Sequence, residues 1–504
     1  MNENLKSNVK DRIYEDLSPT RNLTGIHLKI VSSIAIIWTL FQLWYASPFP
    51  FWFDIGMFKG LPARAIHLGF ALTLVFLIYP FSKGKKISII DIVISLIAAF
   101  CCLYIYFFYD QLIDRGGILL KYNIGQFTVP VEIIIGMIGI IILLEATRRA
   151  IGMPLVIIAV CFLLFSYFGR YAPDIISHGG LSLKRLVGFQ WFDQEAIFGI
   201  PIGVSVDFIF LFVLFGALLE KAGGGKYFLD LAFAMVGKMR GGPAKAAILG
   251  SGMTGLISGS SIANTVTTGT FTIPIMKKSG FSKEKAGAIE VSASVNGQIM
   301  PPVMGAAAFL MAEILQVSYW TVALSALVPA VLFYTVLFCS VPKGRISMAG
   351  DFKKTASVSP IADSMYGLII LSAAIGLIIG IMDQTGLSFH ITSILNVASG
   401  GNTFFLLTLV AILCIILGMG MPTSSTYLIV AIVAAPTLVD AGITEIWAHM
   451  FVLYFGVLSM ITPPVALSSF TAAKIAGANP IRTAITSMFI AWPLYIMPFI
   501  FVWF

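Results

Sequence analysis

The 504-residue chain carries 32 Lys and Arg and 24 Asp and Glu, so that charged residues make up only 11% of it and hydrophobic residues 58%. Soluble domains hold about a quarter charged residues, so this composition excludes a soluble globular protein and indicates a multi-pass membrane protein. The formal net charge of +8 does not indicate a nucleic-acid partner, because membrane topology explains the placement of the cations, as shown below.

Apolar runs of membrane-spanning length predict eleven helical crossings. Two further apolar stretches are interrupted near the middle by helix-breaking residues, and each half is too short to cross the hydrocarbon layer, so both are predicted to be re-entrant hairpins. The predicted fold class is an all-α polytopic membrane protein. The crossings are placed at about 31–47, 63–80, 88–109, 130–147, 152–169, 205–220, 284–316, 320–341, 364–382, 447–477 and 483–503, and the hairpins at 244–276 and 403–437.

The distribution of Lys and Arg sets the orientation. With the N-terminus in the cytoplasm, 25 of the 32 cations fall in segments predicted to be inside, as the positive-inside rule requires. The first hairpin is then flanked by cytoplasmic Lys277 and Lys278, whereas the second, flanked by Asp440 and Glu445, opens to the outside. The two hairpins are therefore predicted to enter the bilayer from opposite faces.

A shift of 162 residues superimposes parts of the chain. It places Pro274 on Pro436, Gly280 on Gly442, and Pro301 and Pro302 on Pro463 and Pro464. We therefore predict an inverted-topology repeat over about 205–341 and 364–503, with the binding site near the midplane between the interrupted helices. The four crossings within residues 1–150 lie outside the repeat and form a separate unit, and residues 151–504 form the second domain.

The hairpin tips and the helix interruptions carry the candidate chemistry. The first tip, residues 258–264, and the second, 418–426, are rich in Gly, Ser and Thr, and each is paired with a break before two prolines. Free carbonyls, hydroxyls and amide oxygens suit a small monovalent cation, and half-helix N-termini attract a carboxylate. The alternatives are that the small residues only allow close helix packing and that the prolines only set the shape.

The sequence gives less support to proton coupling, to catalysis and to ATP-driven pumping. Among the intramembrane acids, Glu290 and Glu313 lie on the broken crossing. Most of these acids are predicted to be interfacial, and neither hairpin tip holds an acid. This favours cation coupling through neutral oxygens over proton coupling. The five histidines are never three or four residues apart, and neither a nucleophile elbow nor a Walker A pattern occurs, so we expect neither an enzyme nor an ATP-driven pump.

Four strings carry a resemblance to a known family. They are SGSSIANTVTTGTFTIPIMKKSGF, VNGQIMPPVMGAAAFLMAE, GMGMPTSSTYLIVAIVAAP and MITPPVALSSFTAA. They resemble the large permease subunit of tripartite ATP-independent periplasmic (TRAP) transporters, and the segment from Gly297 to Glu313 looks most like the TAXI subgroup. The resemblance covers about 150–504, and the four preceding crossings look like the small permease subunit fused in front.

The resemblance implies a sodium-driven importer of small carboxylates in the bacterial inner membrane, supplied by a periplasmic binding protein and working by an elevator motion. The runner-up is an anion/sodium symporter of similar fold that needs no binding protein, and the rival class is a membrane enzyme. Carried onto this chain, the family's substrate contacts would be Ser260, Ser261, Asn264, Thr423, Ser424 and Ser425. Its two Na⁺ sites would involve Ser258, Ser261, Asn264, Asn296, Gln298 and Met300, and Gly418, Met421, Thr423, Ser459 and Thr462.

Overall fold

The computed structural model describes residues 20–21, 23–58, 60–81, 87–116, 118–124, 127–302, 304–340 and 361–503. For residues 122–124, 127, 128, 220, 257, 258 and 361–368 the description covers the backbone only. The chain folds into two compact units. The first comprises Met1–Leu211 with Ile361–Leu387, and the second comprises Phe212–Pro360 with Ser388–Phe504. The domain boundary predicted at residue 150 stays a prediction.

Up to residue 221 the described elements are helical apart from one short hairpin of strands. They are α1 (Gly25–Ala46), α2 (Phe49–Phe53), α3 (Gly60–Ile78), α4 (Ile89–Phe107), α5 (Tyr109–Asp114), β1 (Tyr122–Ile124), β2 (Phe127–Val129), α6 (Val131–Ala150), α7 (Met153–Phe168), a 3₁₀ turn (Gly169–Tyr171), α8 (Leu183–Phe192), α9 (Ile200–Val204), a π-helical turn (Ser205–Ile209) and α10 (Phe210–Lys221). The strands pair antiparallel, with Asn123 opposite Thr128.

The remaining elements fall in two series, and in each series a hairpin, a broken helix and a closing helical segment follow in the same order. The first series is α11 (Gly224–Val236), α12 (Gly242–Ser258), α13 (Ser261–Lys278), α14 (Lys283–Gly297), α15 (Ala306–Ile314) and α16 (Tyr319–Ser340). The second is α17 (Ile361–Thr385), α18 (Leu387–Ser399), α19 (Thr403–Gly418), α20 (Thr423–Val433), α21 (Ala435–Asp440), α22 (Glu445–Leu458), α23 (Leu467–Ala476), α24 (Pro480–Ile490) and α25 (Trp492–Phe501).

The all-α polytopic class is confirmed. By length and composition, six described helices could cross a membrane, or up to eight if two pairs joined at short breaks each count as one. Helix α6 is not among them because it carries two glutamates and two arginines. The crossings predicted at 284–316 and 447–477 are also absent from the six, since both are interrupted in the middle.

A buried ionic cluster stabilises the first unit. Arg149 donates to Asp91 over 2.7 Å and to the carbonyl of Tyr79 over 3.2 Å, and Arg21 donates to the other oxygen of Asp91. Arg21 also donates to the carbonyls of Phe76 and Leu77. The three charged side chains are each at most 2% exposed. Charges this deeply buried are tolerated only when paired and hydrogen-bonded.

In the second unit the two halves share one contact pattern. The hairpin arms α12 and α13 pack on each other and on α14, just as α19 and α20 pack on each other and on α22. The halves also exchange contacts reciprocally: α13 packs on α23, which follows the second break, and α20 packs on α15, which follows the first. Such an exchange is what two copies of one unit related by a two-fold axis produce.

The breaks themselves are alike. Both Pro301–Pro302 and Pro463–Pro464 are joined by cis peptide bonds. Each break loop is closed by one backbone hydrogen bond, from Gly305 to the carbonyl of Gln298 over 2.8 Å and from Ser468 to the carbonyl of Met460 over 3.1 Å. The two accepting carbonyls are separated by the same 162 residues that align the prolines in the sequence.

Candidate functional site

The first hairpin turns at Gly259 and Ser260, between α12 and α13. Gly259 has a φ of +59°, which ends α12 in the left-handed region that glycine adopts without cost. The Ser260 hydroxyl accepts from the amide of Ala263 over 3.3 Å and so caps α13. A Cβ atom on Gly259 would lie 3.3 Å from Cα of Gly305, so the tip touches the first break loop.

Two glycines bring the hairpin arm and the broken helix into backbone contact. A Cβ on Gly255 of α12 would lie 2.8 Å from Cα of Gly297, and a Cβ on Gly297 would lie 2.9 Å from Cα of Gly255. The same position on Gly255 is 3.3 Å from Nδ2 of Asn264. The end of α14 and the first turn of α13 therefore meet beside Gly255, which brings together two of the regions predicted to bind Na⁺.

Two buried amide oxygens in this region have no hydrogen-bond donor among the described residues. Asn264 donates through Nδ2 to the carbonyl and hydroxyl oxygens of Ser251 over 2.8 and 3.0 Å, and Asn296 donates to the carbonyl of Ala330 over 3.4 Å. The Oδ1 atoms of both asparagines are buried without a partner. Leaving a polar group buried and unpaired costs about 1–3 kcal/mol, so this donor set of neutral oxygens fits a bound monovalent cation.

The second hairpin and the second break make a comparable contact with different chemistry. A Cβ on Gly418 would lie only 2.4 Å from the Ser459 hydroxyl, so the hairpin arm and the broken helix are in close contact here. The Ser459 hydroxyl can donate to the carbonyl of Gly456 over 2.6 Å or to that of Gly418 over 3.1 Å. The Thr462 hydroxyl lies 2.7 Å from the carbonyl of Leu458 and 2.6 Å from the Tyr495 hydroxyl. The hydroxyls of this break are thus already satisfied within the protein.

The other predicted Na⁺ ligands are placed as follows. Gln298 is buried and its Nε2 has no acceptor in the part of the chain that the structure describes, while its carbonyl closes the break loop. Met300 lines an apolar cavity of about 350 Å³ together with Tyr334, so only its backbone suits a hard cation. Met421 is fully buried and Thr423 nearly so. The side chain of Ser258 lies outside the described residues.

The predicted substrate residues lie at the starts of two helices. Ser260 precedes α13, and Thr423, Ser424 and Ser425 form the first turn of α20. Ser425 is buried and its hydroxyl has no partner within the described ranges, whereas Ser424 is half-buried. Ser261 hydrogen bonds over 2.7 Å to Ser468 of α23, 207 residues away, rather than to the second tip. Each hairpin thus presents a helix N-terminus with hydroxyl groups beside it.

One acid departs from the expectation that most intramembrane acids are interfacial. Glu290 is not interfacial: it is fully buried on α14 and accepts hydrogen bonds from Thr268, Thr272 and Ser294. The sequence held one signal that was missed, since the residues from Ala286 to Ser294 are mostly Ala, Gly and Ser. Small residues on every side indicate a helix packed all round rather than one facing lipid.

The fold and the site define a class of protein: an all-α membrane protein with paired hairpins and interrupted helices in two equivalent halves, the architecture of secondary transporters. The family described as "Tripartite ATP-independent periplasmic transporter, DctM component" matches residues 138–345 and 352–504. The chain therefore belongs to this family of TRAP transporter permeases. The resemblance to TRAP transporter permeases is confirmed, and the family is one of transporters rather than enzymes.

Curated relatives agree with this membership. The C4-dicarboxylate TRAP transporter large permease protein DctM of Pseudomonas aeruginosa is 24% identical over 391 residues, which cover 66% of this chain and 88% of the relative. The protein of the same name from Vibrio cholerae is 37% identical over 91 residues, 18% of this chain and 20% of the relative. The uncharacterized protein YgiK of Salmonella typhimurium is 29% identical over 177 residues. That match covers 35% of this chain and only 36% of YgiK.

Proposed function

We propose that this protein is a sodium-coupled secondary transporter that imports small organic acids across the bacterial inner membrane. Membership of the TRAP permease family supports the transport class. Relatives named for C4-dicarboxylates and for 2,3-diketo-L-gulonate support carboxylates as substrates. The same family membership supports delivery by a separate periplasmic binding protein, and the positive-inside count supports a cytoplasmic N-terminus. In this proposal residues 1–150 act as the fused small subunit of a TAXI-type permease.

The observation that carries sodium coupling is the pair of unpaired amide oxygens beside Gly255. Among the described residues, Oδ1 of Asn264 and Oδ1 of Asn296 are buried acceptors without donors, beside the close contact between Gly255 and Gly297. Neutral oxygens of this kind coordinate small hard cations. Bound Na⁺ would satisfy both amides and fix the first hairpin against α14.

A carboxylate substrate is supported by unpaired donors at the same tips. The N-termini of α13 and α20 each carry partial positive charge and orphan amides. Nε2 of Gln298 is a buried donor without an acceptor, and a Cβ on Gly305 would lie 3.6 Å from Cβ of Gln298 and 3.0 Å from the carbonyl of Gly259. We place the substrate carboxylate near these groups, with Ser424 and Ser425 on the other side.

Hydrogen bonds between the two halves of the second unit support an elevator motion. Ser261 of the first hairpin bonds Ser468 of the second half, and Lys277 donates to the carbonyl of Ala476 over 2.7 Å. Together with the reciprocal packing of α13 on α23 and α20 on α15, these contacts tie the hairpins and broken helices into one body. In the proposal this body carries the substrate as it moves.

The decisive experiment is uptake of radiolabelled C4-dicarboxylates and related organic acids into proteoliposomes. The sodium gradient and a purified periplasmic substrate-binding protein are varied separately. We expect uptake only when both are present. Uptake without the binding protein would support the alternative, a binding-protein-independent symporter. Uptake driven by a proton gradient in the absence of sodium would contradict sodium coupling.

Replacing Asn296 or Ser261 by alanine is expected to raise the sodium concentration for half-maximal uptake several-fold, because each change removes an oxygen from the proposed cation environment. Loss of one neutral hydrogen bond costs only about 0.5–1.5 kcal/mol, so protein yield should change little. Thr408→Ala is the control, since that hydroxyl bonds only its own helix at the carbonyl of Phe404. A fall in yield with unchanged sodium dependence would show that Asn296 and Ser261 act in packing alone.

A further inference from the structure

Glu290 is a buried carboxyl group surrounded by hydroxyl groups. Its exposed fraction is 0%. Thr272 Oγ1 lies 2.5 Å from one carboxyl oxygen, and Thr268 and Ser294 approach the other, Ser294 at 3.4 Å. Within the described ranges, Glu290 forms no ion pair with Lys, Arg or His. A buried carboxylate without a cationic partner is costly unless it can be neutralised.

The side-chain groups that face Glu290 are hydroxyls and one phenol, and they come from four helices. They are the hydroxyls of Ser251 on α12, of Thr268 and Thr272 on α13 and of Ser294 on α14 itself, and the phenol of Tyr334 on α16, which interacts electrostatically with it. The other titratable groups on the helices packed around α14 lie elsewhere along those helices. They are Lys245, Lys277, Lys278, Tyr319, Cys339, Glu445, His449, Tyr454, Lys474 and Arg482.

The spacing of the oxygens suits a proton better than a metal ion. An ion the size of Ca²⁺ or Na⁺ holds each oxygen at about 2.3–2.6 Å, so two oxygens on opposite sides of it lie well over 3 Å apart. Thr272 Oγ1 and Glu290 Oε2 are 2.5 Å apart, which is the length of a hydrogen bond between a hydroxyl and a carboxylate. These oxygens share a hydrogen and leave no room between them for a cation.

Both protonation states of Glu290 can be satisfied by rotating hydroxyl groups. Each threonine has a second acceptor four residues earlier on α13: Thr268 has the carbonyl of Asn264 at 2.8 Å, and Thr272 has the carbonyl of Thr268 at 3.0 Å. When the carboxyl is ionised, both threonine protons point to it. When it is protonated, it donates to one threonine oxygen while the threonine protons return to the helix carbonyls. In both protonation states every one of these hydrogen-bond donors has an acceptor.

A chain of hydrogen bonds joins Glu290 to the first hairpin tip. Ser294 lies within reach of Glu290 and also 2.9 Å from the Ser251 hydroxyl, to which Asn264 donates over 3.0 Å. Proton uptake at Glu290 therefore changes which hydroxyl protons face Ser251 and Asn264. The protonation state is transmitted to a residue whose amide oxygen is unpaired at the proposed cation site.

We propose that Glu290 is a proton-binding site of this transporter, which takes up one proton as the carboxylate and releases the same proton later in the cycle. Only its consequence for coupling rests on the proposed transport function; proton binding itself does not. The site adds a proton to the sodium-coupled cycle by setting the hydroxyl protons that orient Asn264.

Infrared difference spectroscopy of the purified full-length protein in lipid tests the proposal without any substrate. Spectra recorded across the pH range in which the protein stays folded should show a carbonyl stretch of a protonated, buried carboxyl that appears on acidification. We expect this band to be lost in Glu290→Gln and retained in Glu313→Gln, the matched control, because Glu313 is exposed on the same broken crossing. A band unaffected by Glu290→Gln, or a Glu290 that keeps one protonation state throughout, would overturn the proposal.

Two further measurements keep the result interpretable. If Glu290→Gln does not fold, Glu290→Asp should move the band rather than remove it, and an unmoved band would again overturn the assignment. In the uptake assay, Glu290→Gln should remove the dependence of uptake on external pH while sodium dependence is kept. If the infrared band behaves as expected while wild-type uptake is indifferent to sodium, the proton site stands and the proposed sodium coupling fails.

Discussion

Asp91→Ala is expected to lower the free energy of unfolding by about 3–5 kcal/mol, the range for removing one partner of a buried ion pair. Asp91 is the only carboxylate within 4 Å of Arg21 in the described part of the chain, and it also pairs with Arg149. Both guanidinium groups are at most 2% exposed, so neither can recover water when the carboxylate is lost. Asp91 also accepts from the amide of Ser88, and this cap of α4 would disappear as well.

Glu145→Ala is the matched control for that change. It removes a carboxylate that contacts Arg148 and Arg149 over 2.7 Å, but the Glu145 side chain is 23% exposed and that of Arg148 is 34% exposed. The buried Arg149 keeps Asp91 and the carbonyl of Tyr79 as acceptors. Partly exposed pairs contribute only about 0–1 kcal/mol. Thermal and denaturant unfolding in detergent micelles measures both variants. Equal losses for Asp91→Ala and Glu145→Ala would show that burial does not govern this cluster.

Local chemistry explains what could be predicted from the sequence. Two consecutive prolines remove backbone donors and interrupt a helix wherever they occur, so both breaks were placed correctly before Pro301 and Pro463. Gly and Ser at the tips likewise predicted the turn at Gly259. The prediction of a repeat rested on the 162-residue offset together with the order and the opposite orientations of the predicted elements. The carbonyls of Gln298 and Met460, which close the two break loops, have the same separation.

Contacts between distant residues could not be predicted in the same way. Nothing in the segments themselves indicates that Ser261 meets Ser468, or that Glu290 faces Thr268 and Thr272, because those contacts depend on how α13 packs on α14 and α23. The helical period predicts which residues share one face of a helix, but it does not predict which other helix packs against that face. The assignment of individual Na⁺ and substrate ligands stays a prediction for the same reason.

The two breaks differ in a way that separates their proposed roles. At the first, the oxygens of Asn264 and Asn296 are unpaired, whereas at the second the hydroxyls of Ser459 and Thr462 already have partners 2.6–3.1 Å away. A cation gains most where it replaces missing hydrogen bonds. We therefore expect the first site to bind Na⁺ more tightly than the second.

Gly255→Ala is expected to reduce sodium-dependent uptake more than tenfold, because it acts on the backbone contact that assembles this first site. The new Cβ would lie 2.8 Å from Cα of Gly297, where the obstructing atom is backbone and cannot rotate away. Overpacking of this kind costs about 1–3 kcal/mol, and it is relieved by separating α12 from the end of α14. Separation would move Asn264, whose Nδ2 is 3.3 Å from the same Cβ position, away from Asn296.

Gly225→Ala provides the comparison, since it is another helical glycine of the second unit and its new Cβ would meet only the Thr254 methyl group, at 3.9 Å. Uptake at increasing sodium, measured beside thermal unfolding, distinguishes a damaged site from a damaged fold. If Gly255→Ala transports like Gly225→Ala, the contact between Gly255 and Gly297 does not hold the cation ligands together. If Gly255→Ala instead loses uptake and saturating sodium restores part of it, the glycine pair sets the affinity of the first cation site. Higher sodium can compensate for a displaced ligand, but it cannot compensate for an unfolded hairpin.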